Sequence, residues 1–110
     1  LLTNPLLAPS AYPPAAQRFY QAFRDRFRKT PEPYAIYGYE AINLVLDAIR
    51  RGGNTRRGVV DAFRATRDRD SVLGRYSIDE NGDTTLSTYG VLKVSRRGRL
   101  AYDRTIDSSR

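Results

Sequence analysis

Between Pro33 and the pair Gly52-Gly53 lies the run Ala41-Ile42-Asn43-Leu44-Val45-Leu46-Asp47-Ala48-Ile49. At helical spacing these residues leave little polar face, so a helix here must be covered on more than one side. The whole chain has 110 residues, which is about one small domain of ~100–150 residues. A chain of that size buries only about two-thirds of its unfolded surface. It has trouble covering such a helix alone and reads as part of a larger fold. Ile42, Leu46 and their neighbours are expected to pack against another copy, in a homo-oligomer.

The elements on either side follow from local rules. Leu1–Pro14 carries Pro5, Pro9, Pro13 and Pro14 and reads as an extended crossing segment, too apolar to hang free. Pro14–Lys29 reads as a first helix with Ala16, Phe19, Tyr20, Phe23 and Phe27 on one face. Thr30-Pro31-Glu32-Pro33 stops it. The second helix begins near Ala35–Gly38 and ends at Gly52-Gly53. Thr55 reads as the N-cap of a third helix over Arg56–Thr66. Arg67–Asp70 then reads as a charged connection. Beyond it the apolar period changes to alternation. Strands are expected over Val72–Ile78, Thr85–Ser95 and Leu100–Arg104, with turns at Asp79–Asp83 and Arg96–Arg99 and a tail from Asp107.

Composition removes much chemistry. There is no Cys and no His. Disulfides, thiolate metal sites, Ser–His or Cys–His catalysis and the commonest metal ligand are therefore excluded. No catalytic constellation, metal site or cofactor site is expected. Glu40 and Asp47 share a helix face and read as a solvated stripe. Asp79-Glu80-Asn81-Gly82-Asp83 is oxygen-rich but lacks the EF-hand spacing, and reads as a turn. Gly52-Gly53-Asn54-Thr55 reads as a helix stop followed by an N-cap rather than an anion seat.

The net charge is +7, and all 19 basic residues except Lys29 and Lys93 are Arg. That leaves a small basic nucleic-acid-binding domain as the alternative function. The arginines are spread over several elements, whereas such readers concentrate charge on one face. A solvated Arg-rich surface is the expectation, with no nucleic-acid partner.

The most informative stretch is Tyr34-Ala35-Ile36-Tyr37-Gly38-Tyr39-Glu40-Ala41. Three tyrosines surround a helix start. Tyr supplies an apolar wall with a hydrogen-bonding tip, and free helix amides suit a ligand carboxylate. Packing of the helix start would explain the same residues.

The order of features resembles a known family. It runs from Phe19, Phe23 and Phe27 through Pro31, Tyr34-Ala35 and Tyr37-Gly38-Tyr39-Glu40-Ala41. It continues with Ala48-Ile49, Gly52-Gly53, Thr55-Arg56, Val59, Val72 and Gly74. It closes with Ile78–Asp83 and Tyr89-Gly90-Val91-Leu92-Lys93-Val94. This resembles the C-terminal third of type I periplasmic solute-binding proteins, the branched-chain amino acid receptors of ABC transporters. The family more often has Asp where Glu40 stands.

The resemblance implies an α/β fold of the periplasmic-binding-protein type I class. Taken alone, the chain would be three helices followed by a three-stranded antiparallel segment, or α+β. It also implies a single C-terminal fragment, residues 1–110. Within it, 1–14 would be a crossing segment, 15–67 the helices of one lobe, and 72–104 a hinge return and terminal hairpin. The implied function is extracytoplasmic capture of a small amino-acid-like solute, in the periplasm or at the cell surface. Delivery would be to an ABC permease, with membrane contact only through an anchor or that permease. The family's cleft aromatic maps to Tyr34, with Tyr37 and Tyr39 as neighbours. The other ligand-fixing groups lie outside this chain, so alone it is expected to be ligand-free.

Overall fold

The structure is a computed structural model and describes residues 1–109. Helix α1 spans Pro14–Phe27, α2 Ala35–Gly52 and α3 Arg56–Arg64. Pro14 occupies the first turn of α1, where its missing amide costs nothing. Its expected apolar face is only partly used. Ala16 and Tyr20 are buried, whereas Phe27 is exposed. Tyr12, Ala16, Tyr20, Ile36 and Val72 form one small core, with Leu7 and Phe19 packed against it. Leu44, Tyr76 and Ile78 form a second, flanked by Phe63 and Leu86.

Helix α2 buries one face through Ile36, Glu40, Leu44 and Ala48. The opposite stripe of Ile42, Val45, Leu46 and Ile49 is exposed. The helix is apolar on both sides, as its composition requires, and only one side is covered. Helix α3 starts where expected, with the Thr55 hydroxyl accepting from the Gly58 amide at 3.1 Å. It crosses the end of α2 closely. A Cβ on Gly58 would lie 2.0 Å from the Gly52 carbonyl oxygen.

The strands depart from the sequence reading. Strands β2 (Arg69–Ser71) and β3 (Gly74–Tyr76) make a tight antiparallel hairpin pairing Arg69 with Tyr76. The expected single strand Val72–Ile78 is thus broken, and half of the expected charged connection is strand. The physical reason is the turn. Gly74 takes φ +118, open to glycine. The Ser71 hydroxyl bonds the Gly74 carbonyl at 2.7 Å and the Leu73 amide at 3.0 Å. Asp79 holds the following turn, its Oδ1 accepting from the amides of Asn81 and Asp83 at 2.9 Å.

The three-stranded sheet has the order β1-β4-β5, all antiparallel, with β1 at Leu2–Asn4, β4 at Thr88–Val94 and β5 at Leu100–Asp107. Its third member is therefore the N-terminal segment, not Val72–Ile78. Leu1–Pro14 is not uniformly extended either, since Pro9–Ala11 forms a short 3-10 turn. Strand β5 outruns the expected Leu100–Arg104 because Asp103 is an extra residue between the pairs Val91–Arg104 and Leu92–Tyr102. Such a bulge lets pairing continue to Asp107.

The molecule is a slab of 53 × 39 × 21 Å with a radius of gyration of 16.1 Å. A compact domain of this length would have about 13 Å. The sheet stands off from the helices, joined by the segments on either side of the hairpin and α1. No helix among the described residues is long and apolar enough to cross a membrane.

Gly58→Ala tests the close approach. In an open helix this change stabilises by about 1 kcal/mol. Here the new methyl meets backbone, and overpacking of this kind costs about 1–3 kcal/mol. Urea unfolding should show a lower midpoint for the variant.

Candidate functional site

The start of α2 is set by its turn. The Ala35 amide donates to the Glu32 carbonyl at 2.9 Å, and the Tyr37 and Gly38 amides both donate to the Tyr34 carbonyl. No side chain caps the helix. Three of the first four helix amides are thus already bonded within the chain. The sequence expectation of free amides for a ligand carboxylate is corrected on this point.

The three tyrosines do not share one face. Tyr34 is 60% exposed at the very start of the helix. Its ring lies 6.3 Å from that of Tyr37, centroid to centroid. Tyr37 is half-buried, and its hydroxyl donates to the Pro5 carbonyl at 2.6 Å. It thereby ties α2 to the segment leading out of β1. Burial, helped by Tyr12, pushes the Tyr37 hydroxyl up to about 12. Tyr39 projects to the other side and packs on Phe19 of α1, with centroids 4.8 Å apart. There it helps line an open apolar groove of about 650 Å³ with Phe19, Phe23 and Phe27. Tyr34 and Tyr37 are brought together, and Tyr39 is kept apart. The 100° step of a helix imposes this, since positions 34 and 37 are neighbours on its surface and 39 is not.

The residue after Tyr39 makes a buried ion pair. Glu40 is only 4% exposed. Its Oε1 accepts from Arg69 Nε at 2.7 Å and from the Tyr76 hydroxyl at 2.7 Å. Arg69 also reaches Asp47 at 3.3 Å, and Asp47 pairs with Arg51 at 2.9 Å. Arg51 continues to the Ala62 carbonyl and the Thr66 hydroxyl, each at 2.9 Å. The expected solvated stripe of Glu40 and Asp47 is corrected. One guanidinium bridges the two carboxylates. Burial works against the Arg69 charge, but the Glu40 carboxylate outweighs it and the Arg69 pKa lies above its ordinary value. Burial first, then the bond to Glu40, pushes the Tyr76 hydroxyl well above the usual phenol range.

Sequence reasoning missed this cluster. The available signal was a carboxylate at the centre of an otherwise apolar helix face, with arginines in a short polar run downstream. All polar side-chain atoms buried among the described residues are hydrogen-bonded. Several arginines are engaged internally, among them Arg51, Arg67, Arg69 and Arg75. Arg51, Arg67 and Arg69 line one open pocket and Arg18, Arg50, Arg69 and Arg75 another, but carboxylates of Glu40, Asp47 and Asp70 are interleaved with them.

The comparisons with known proteins fit this arrangement. The family model described as periplasmic binding protein matches residues 2–99. This chain belongs to the periplasmic binding protein family. A Leu/Ile/Val-binding protein homolog 1 of Brucella abortus (strain 2308) is 35% identical over 74 residues, covering 66% of this chain and 20% of that protein. A leucine binding protein from Thermotoga maritima MSB8 superposes with a TM-score of 0.76 at 30% identity, over 96% of this chain and 30% of that one. An ABC transporter substrate-binding protein from Desulfitobacterium hafniense, solved in complex with Leu, gives 0.72 at 26% identity, over 88% and 29%. The chain therefore spans about a fifth of the curated relative's length. The fold is the type I class that the resemblance implied, with three helices and a three-stranded antiparallel sheet.

Removing Arg69 strands a buried carboxylate. Arg69→Met should lower stability by roughly 3–5 kcal/mol, whereas the double change Glu40→Gln/Arg69→Met, which keeps a neutral acceptor for the Tyr76 hydroxyl, should cost less. Chemical unfolding of both variants checks this.

A second expectation concerns pH. Tyr37 titrates at about 12 in the folded chain, above the ordinary phenol value of about 10, and Tyr76 is likewise raised. The folded state then holds protons that the unfolded state releases. The stability they contribute is full below about pH 10 and is lost as pH rises through the folded values. Thermal melts between these limits should fall with pH, and Tyr37→Phe should flatten the slope.

Proposed function

We propose that this chain takes part in extracytoplasmic solute capture for an ABC transporter. Its ligand is a small amino-acid-like solute of the branched-chain class, and its protein partner is an ABC permease. The role is binding, without turnover or a cofactor. The observation that carries the reading is the match to a leucine binding protein along almost the whole chain, together with an exposed ring, Tyr34, at the start of α2. Tyr34 offers an apolar wall to the solute side chain. Tyr37 stands beside it and fixes the helix start to Pro5. Tyr39, turned toward Phe19, is the more remote of the three.

The same reading assigns residues 1–14 to a segment crossing between two lobes. It assigns 15–67 to the helices of one lobe and 72–104 to the return and the terminal hairpin. Closure of two lobes around a solute is the usual way such a protein works. Most of the contacts to the solute's amino and carboxyl groups then come from outside these residues. The chain alone is expected to bind weakly or not at all. The site of action is the periplasm or the cell surface.

A chimera tests this. The matching segment of the Thermotoga maritima leucine binding protein is replaced by this chain, and leucine, isoleucine and valine are titrated by calorimetry. Binding of at least one, weakened about tenfold or more by Tyr34→Ala, is the expected result. Burial of a large side chain against an aromatic is worth enough for that change. A folded chimera that binds none of the three, or that ignores Tyr34→Ala, would count against the reading.

A further inference from the structure

We propose that Tyr37, Tyr12 and Gly90 are positioning residues that lock Pro5–Leu7 into a rigid junction between the helices and the sheet, and that this lock sets the affinity of the solute site through Tyr34. The lock follows from bonds within the chain. Its effect on affinity rests on the solute-capture reading above.

Pro5–Leu7 belongs to no helix or strand, since β1 ends at Asn4 and the 3-10 turn begins at Pro9. The backbone polar groups of such a stretch have no ladder to join and need other partners. Here the chain itself supplies them. The Pro5 carbonyl accepts from the Tyr37 hydroxyl of α2 at 2.6 Å. The Leu6 amide donates to Asn4 Oδ1 at 2.9 Å, and the Leu7 amide donates to the Tyr12 hydroxyl at 3.0 Å. The Leu6 carbonyl lies against β4. A Cβ on Gly90 would stand 2.1 Å from the Leu6 oxygen, so the close approach requires glycine there. Gly90 is itself paired with Asn4 of β1. From the Pro5 carbonyl to the Leu7 amide, every backbone polar group is thus either bonded or packed.

The two phenols that hold the stretch share one base. Tyr12 belongs to the core of Ile36 and Val72, and Tyr37 packs against that core. Burial first, and then Tyr12, raise the Tyr37 hydroxyl, so it keeps its proton and stays a donor at neutral pH. The Tyr34 ring stands beside this assembly, 6.3 Å from Tyr37 between centroids. A wall whose support is fixed loses less freedom when a ligand binds, and such preorganisation shows as affinity. Loosening the junction leaves every solute contact in place and weakens binding of different solutes alike.

Amide hydrogen exchange on the 110-residue chain tests the lock. Tyr37→Phe removes only the hydroxyl. The Leu6 and Leu7 amides should then exchange about fivefold faster, as for one lost hydrogen bond, although Tyr37 bonds neither. The Leu44 amide in the middle of α2 should not change. Unaltered exchange at Leu6 and Leu7 would overturn the lock. An equal gain at all three amides would make Tyr37 a general stabiliser and overturn it too. If Tyr37→Phe does not fold, Tyr12→Phe carries the same test, with Leu6 expected to speed up beside Leu7.

The chimera described above tests the positioning role. Tyr37→Phe and Gly90→Ala should each weaken leucine and valine by a common factor of about threefold. Tyr34→Ala should weaken leucine more than valine, because it removes wall area. Unchanged affinity in Tyr37→Phe would overturn the role. A loss as unequal as that of Tyr34→Ala would make Tyr37 part of the wall and overturn it as well. A folded chimera that binds neither solute counts against the solute-capture reading, and the exchange result then decides the lock by itself.

Discussion

The buried contact between Glu40 and Arg69 ties helix α2 to the β2–β3 hairpin. Helix α2 and the β2–β3 hairpin share no long run of backbone bonds. Besides the apolar contacts that Ile36 and Leu44 share with Val72 and Tyr76, a carboxylate that receives a guanidinium and a phenol on a single oxygen joins them. A charge in that position is costly unless it is paired and hydrogen-bonded. The pairing fixes where Arg69 lies, and hence the register in which Arg69 faces Tyr76. Tyr76 in turn forms the second small core with Leu44 and Ile78. The hairpin is thus held by a buried ion pair and by apolar packing together. Asp47 and Arg51 extend the same chain of charges to α3.

A second tie acts between the helices and the sheet. The Tyr37 hydroxyl grips the Pro5 carbonyl, and the Tyr12 hydroxyl accepts from the Leu7 amide. These bonds span the segment connecting β1 to α1. They place the exposed Tyr34 next to the region where sheet and helices meet.

Much of the helical architecture could be read from the residues. Pro14, the Thr55 cap and the Gly52-Gly53 stop are local signals, and local bonds satisfy them. The excess apolar surface of α2 was equally legible, because no rotation of that helix hides Ile42 and Leu44 together. The strands were harder. Arg69 and Asp70 look like solvent-facing turn residues until a partner 29 positions away neutralises Arg69. The order β1-β4-β5 joins residues at opposite ends of the chain, and Leu2-Thr3-Asn4 carries no periodicity long enough to declare itself. Of the three tyrosines named at the candidate site, the residues themselves suggested a cluster. The helix step divided it.

By itself the sequence determined which stretches are helical, where they stop, and that histidine and cysteine chemistry is closed to this chain. Those outcomes depend on residue identity and on neighbours within a turn or two. Only the tertiary structure decided which carboxylate would be buried, which strand would complete the sheet, and which tyrosines would stand side by side. Each of these pits one long-range contact against the cost of desolvating a polar group or closing a loop. The winner is settled by geometry between distant residues, and no local pattern records it.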